Sequence, residues 1–162
     1  MSVYLDASIL VALFTNDPLT ARADKFLRAN PSVLIVSDFA AAEFSSVIAR
    51  HVRTKDITKD DARLVFSNYD TWTARTTQRT PIGTSDIIAA DALLRRLDLA
   101  LRTPDALNIA IAQRMGASRC RHLLIECRER RPHTLSDGYI ESLRRPQCKI
   151  EAAEKRVCCN DI

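Results

Sequence analysis

Apolar residues fall in two kinds of segment along this chain. Val3-Tyr-Leu5 and Val33-Leu-Ile-Val36 are short and continuous, the pattern of buried strands. Between and after them, apolar positions recur at helical spacing. Ile9 to Phe14 follows Asp6-Ala-Ser8, with Asp6 or Ser8 as its cap. Thr20 to Asn30 mixes Ala, Phe and Leu with charges and predicts an amphipathic helix that stops at Asn30-Pro31. Ser37-Asp38 cap a helix carrying Phe39, Ala40, Glu43, Phe44, Val47 and Ile48.

Thr58-Lys-Asp-Asp61 is an acidic form of the capping box and opens a helix toward Trp72. Thr80-Pro-Ile-Gly83 predicts a loop, Thr84-Ser-Asp86 a cap, Ile87 to Leu97 a helix, and Leu99-Ala-Leu101 a brief strand. The next helix starts with Thr103 as N-cap, Pro104 at its first position and Asp105 in its first turn. From Ala106 to Ala112 only Asn108 is polar, so this helix is expected to be buried, and Gly116 closes it.

Strands alternating with helices predict an α/β protein: a central parallel sheet in a three-layer α/β/α arrangement. Ligands of such folds sit beyond the carboxyl ends of the strands. On this reading three acids each follow a strand by a few residues, namely Asp6, Glu43 and Asp105, and they are expected to converge.

Bulk properties narrow the setting. A length of 162 residues suits one domain, and 46% hydrophobic with 27% charged residues is ordinary for a globular protein. Three glycines argue against a glycine-rich nucleotide loop, and a net charge of +4 permits a polyanionic partner without requiring one. No apolar run approaches a membrane span and no signal peptide is evident, so a cytoplasmic protein without membrane association is expected.

Each acid has a structural explanation. Asp6 serves as a helix cap, and Asp105 in a first turn complements the helix dipole. Glu43 lies at the edge of an apolar stripe, where a carboxylate needs an arginine, a proton or a metal. Three converging carboxylates repel one another, which favours a cation. With no histidine nearby and no cysteine before Cys120, the all-oxygen donor set suits a hard ion, Mg²⁺ or Mn²⁺. Asp91 is read as a half-buried structural aspartate, and Arg95-Arg96 as a solvated face or an RNA contact. A receiver-like phosphoacceptor domain is disfavoured, since no adjacent acid pair follows the first strand.

Val-Tyr-Leu-Asp6-Ala-Ser8-Ile-Leu-Val-Ala-Leu resembles the opening of a PIN domain, in particular the VapC-type toxins of bacterial toxin–antitoxin pairs. Ser37-Asp-Phe-Ala-Ala-Ala-Glu43-Phe resembles the family's second motif, and Arg102-Thr-Pro-Asp105-Ala-Leu-Asn-Ile-Ala-Ile-Ala its third. The resemblance implies a PIN-like fold and a Mg²⁺-dependent ribonuclease, with Asp6, Glu43 and Asp105 as acidic ligands. Ser8 matches the hydroxyl that supports the first aspartate. It also implies homodimers and a cognate antitoxin that occupies the active-site groove. A PIN fold that binds antitoxin or RNA without cleaving is the alternative.

The resemblance covers residues 1 to about 118. There the family's strand ending in a fourth acid is replaced by Arg119-Cys-Arg-His-Leu-Leu-Ile-Glu126. All five cysteines and five of the six glutamates follow this point. Residues 1–118 therefore form the expected domain core, and 119–162 an atypical, irregular segment. A reading-frame shift near the codon of Ser118 would produce this change; a divergent terminus, with His122 to Glu126 supplying the strand and the acid, is the rival account.

Overall fold

The computed structural model describes residues 2–29 and 31–116. Its elements are β1 (Ser2–Leu5), α1 (Ala7–Phe14), α2 (Thr20–Ala29), β2 (Val33–Ser37), α3 (Asp38–Arg53), α4 (Lys59–Thr76), β3 (Thr77–Thr80), α5 (Thr84–Leu94) and α6 (Thr103–Arg114). They fall into two compact units, Met1–Ile82 and Gly83–Ile162.

The first unit holds the sheet, in order β1-β2-β3, with both pairs parallel. Parallel strands need crossovers, and α1 with α2 and α3 with α4 supply them. The result is a parallel sheet flanked by helices, as the alternation predicts. Leu5, Val36, Leu10, Phe44 and Ile48 are all fully buried and form the centre of this unit. Phe44 stands among rings from neighbouring helices: Phe14 of α1 at 6.0 Å, and Phe66 and Tyr69 of α4 at 6.2 and 4.6 Å between centroids.

Local sequence chemistry sets the helix starts. The Asp6 carboxylate accepts the Ile9 N–H and opens α1. The Ser37 hydroxyl accepts the Ala40 N–H and opens α3. At α4 both halves of the capping box form: Thr58 Oγ1 accepts from Asp61 N–H at 3.1 Å, and Asp61 Oδ2 from Thr58 N–H at 3.0 Å.

In the second unit α5 packs on α6 through Ala90, Ala106 and Ala110, with Leu93, Leu94 and Leu107 around them. Alanines on both sides let the helices approach closely. As expected, α6 is buried on several faces, including Ile109, Ala110, Ile111 and Ala112. The chain leaves it through Gly116 at φ +60°, a left-handed position that glycine adopts without a steric penalty.

Two strand assignments differ from expectation. The third strand is Thr77–Thr80, at the edge of the sheet among the described residues, where a ladder forms without an apolar run; only Thr80 of the four is buried. Leu99-Ala-Leu101 is no strand. Its backbone bonds are local, Leu99 N–H to Arg96 O and Leu101 N–H to Leu99 O, so it is a turn before α6. The start of α6 also shifts by one residue. Arg102 is the N-cap, Thr103 is already helical, and Asp105 Oδ2 accepts the Arg102 N–H at 3.0 Å, which fixes the start there. Asp91 is exposed and pairs with Arg95 at 2.7 Å, because the Ile87 beside it faces solvent too.

Candidate active site

Strand register sets the geometry. Leu5 pairs with Val36 and Val36 with Arg79, while Ser37 pairs with Thr80. One residue further along β1, Asp6 comes level with Ser37 and Thr80 at the carboxyl edge of the sheet. This edge is where an open α/β sheet binds ligands.

Asp6 is half-buried there, and Ser8 Oγ donates to its Oδ1 at 2.7 Å while the Ile9 N–H reaches the same oxygen at 3.1 Å. Burial pushes the carboxyl above the ordinary aspartate range; the Ser8 hydroxyl and the Ile9 and Ser8 N–H groups pull it back without cancelling the rise. Asp6 is thus both the cap of α1 and a carboxyl that burial holds above its ordinary range. Ser8 donates to Asp6 Oδ1, and Asp6, not Ser8, caps α1.

Ser37 is fully buried and Tyr4 nearly so, and their hydroxyls meet at 2.6 Å. Glu43, six positions beyond Ser37, is half-buried on α3 between the buried Phe44 and the exposed Ala42. Beside this edge Arg79 Nη2 contacts Asp38 Oδ1 at 2.6 Å, both groups half exposed.

Asp105 belongs to the second unit and is buried, with its carboxylate on the Arg102 N–H. The helix that follows the third strand, Thr77–Thr80, carries Asp86 in its first turn and the exposed Asp91; Asp105 lies one helix further on. Asp86 is 1% exposed and pairs through both oxygens with Arg114, Nε to Oδ1 at 2.7 Å and Nη2 to Oδ2 at 3.0 Å. Its Oδ2 also accepts the Gly83 N–H at 2.8 Å. The Arg114 hydrogen bonds hold this carboxyl below the ordinary range. No sequence signal marks the pair: its partners lie 28 positions apart.

The donors suit a hard cation one by one. All are carboxylate oxygens, and a half-buried Asp6 with a raised pKa is a group that a divalent ion would stabilise. Among the described residues, no three or more His, Cys, Asp or Glu side chains are gathered into one metal-holding group. His51 is half-buried, with its Nδ1 3.1 Å from Asp56 Oδ2. The cysteines, and His122 to Glu126, lie outside the described residues. Among the described residues no helix is long and apolar enough to cross a membrane.

No curated protein matches the chain. Among solved structures, the fold is similar to Mycobacterium tuberculosis VapC20, a sarcin-ricin loop cleaving toxin, at TM-score 0.57 and 16% identity; the match covers 70% of this chain and 83% of that one. The PIN domain family model matches residues 3–125, which takes in Asp6, Glu43 and Asp105 and most of the chain. The chain belongs to the PIN domain family.

Proposed function

We propose that this protein is a metal-dependent endoribonuclease of the VapC type, the toxin of a toxin–antitoxin pair. The observation that carries the reading is Asp6: a half-buried carboxylate with raised pKa at the carboxyl edge of the sheet, in a chain of the PIN family. The fold shared with a sarcin-ricin loop cleaving toxin supports it.

In this reading Asp6, Glu43 and Asp105 hold the ion, Mg²⁺ or Mn²⁺. When bound, such an ion lowers the pKa of water and neutralises phosphate oxygens. The chain's own residues prepare for this. Ser8 and the Ile9 N–H fix Asp6 through Oδ1, which sets the carboxylate plane. The Arg102 N–H does the same for Asp105 through Oδ2. The substrate is single-stranded or loop RNA, because base edges of A-form helices are poorly accessible. A homodimer, a cognate antitoxin in the active-site groove and a cytoplasmic setting complete the proposal.

The residue boundary near 118 is part of the same reading: residues 1–118 are the catalytic core and 119–162 an atypical end. Absence of the family's fourth acid at the expected place favours one alternative, a PIN fold that binds antitoxin or RNA without cleaving. Labelled RNA incubated with the protein and Mg²⁺, against an EDTA control, separates the two. Cleavage that EDTA stops supports the nuclease; binding without cleavage supports the inactive form.

A further inference from the structure

The Tyr4–Ser37 bond is a buried side-chain contact that joins β1, the strand leading into Asp6, to the start of the helix carrying Glu43. Tyr4 stands two residues before Asp6 and pairs in register with Ile35. Its phenol therefore reaches forward along β2 by two residues, roughly 6.6 Å of strand rise, about the full length of a tyrosine side chain. It ends on Ser37 Oγ, which also accepts the Ala40 N–H at 3.0 Å. A serine hydroxyl can donate one hydrogen bond and accept two, so Ser37 can bond the Tyr4 hydroxyl in either direction while it accepts from Ala40. Here the two bonds fix the Ser37 rotamer that caps α3.

The β1–β2 ladder sets the strands against each other but does not set the direction in which α3 leaves the sheet. Ser37 does, as the last residue of β2 and the cap of α3. Glu43 lies roughly 9 Å along the helix axis from Ser37, so a small change in the entry of α3 displaces its carboxylate. We propose that Tyr4 is a positioning residue: its hydroxyl, through Ser37, sets where Glu43 stands relative to Asp6. The inference rests on the proposed nuclease reading, in which both acids bind the ion.

The test compares wild type, Tyr4→Phe, Ser37→Ala and the double variant by Mn²⁺ calorimetry, RNA cleavage and melting in EDTA. Thr58→Ala, a cap on the exposed start of α4, is the stability control, and Asp6→Asn the ligand control. Hydrogen-bond partners of metal ligands typically tune affinity by about 10–100-fold, and a positioning group one step further out should fall at the low end. Tyr4→Phe should weaken Mn²⁺ about 10-fold and lower kcat with KM unchanged. Thr58→Ala should melt earlier with unchanged Mn²⁺ affinity. The double variant should lose no more affinity than Ser37→Ala alone, since the two groups act through one bond. Unchanged Mn²⁺ affinity in Tyr4→Phe, or a loss that the Thr58→Ala control shares, overturns the proposal while the nuclease reading stands. Wild type that binds Mn²⁺ no better than Asp6→Asn overturns that reading, and this inference with it.

Discussion

Arg114 grips Asp86 with two parallel bonds, Nε to Oδ1 and Nη2 to Oδ2, and so ties the end of α6 to the start of α5. The aspartate is 1% exposed and the arginine side chain 35%. Breaking a fully buried pair leaves an uncompensated charge and typically costs about 3–5 kcal/mol. With Arg114 partly hydrated, Asp86→Asn should cost about 2–3 kcal/mol in urea melts. A cost near zero would show that the pair contributes nothing to stability.

The same pair sets an acid limb. The folded pKa of Asp86 lies below its unfolded value, so its stabilisation is present above the unfolded pKa, about 3.9, and is lost as pH falls through the folded one. Stability measured from pH 5 downward should therefore fall less steeply in Asp86→Asn than in wild type. Equal slopes would contradict this.

Asp6 runs the other way. Burial raises its folded pKa, so the carboxylate destabilises the metal-free protein at neutral pH, and stability rises as pH falls through the folded pKa toward the unfolded one. Asp6→Asn keeps an oxygen for the Ser8 and Ile9 donors and removes the charge. In EDTA at pH 7 it should melt higher than wild type, at about 2–4 °C for each kcal/mol relieved. A lower melting temperature would show that the charge is well compensated in the fold.

Phe44 anchors the first unit, fully buried between rings of α1 and α4. Phe44→Ala should cost about 3–5 kcal/mol, from lost transfer energy and the cavity left behind. Denaturant midpoints read this directly, and a cost under about 1 kcal/mol would mean that the cluster collapses to fill the space.

What could be read from the sequence follows the range of the interaction. The caps at Asp6, Ser37 and Thr58 act within three residues, so each helix start is visible in a short window. The strands β1 and β2 are visible because burial demands apolar runs. Thr77-Gln-Arg-Thr80 carries no apolar signal because its pairing is through the backbone, and the two leucines of Leu99-Ala-Leu101 give a strand-like pattern from a turn. Asp6, Glu43 and Asp105 stand out by motif and by their places after expected strands, though the segment before Asp105 is a turn. The Asp86–Arg114 and Tyr4–Ser37 contacts, at 28 and 33 residues' separation, depend on the fold and have no local signature.

The change of composition near Ser118 has its own test. Translating the other two frames of the coding DNA from that codon should yield an apolar strand ending in Asp. If neither frame does, the frame-shift account is wrong and the terminus is a divergent one.

Asp6, Glu43 and Asp105 are proposed to hold together an ion that would activate water for RNA hydrolysis. Single-turnover cleavage of a labelled RNA in Mg²⁺, by wild type, Asp6→Asn, Glu43→Gln and Asp105→Asn, tests this proposal most directly. Each variant should lose about 100-fold or more, about 2.7 kcal/mol of barrier, with circular dichroism unchanged and wild-type cleavage stopped by EDTA. Wild-type rates in any one of the three variants, or cleavage that persists in EDTA, would contradict it.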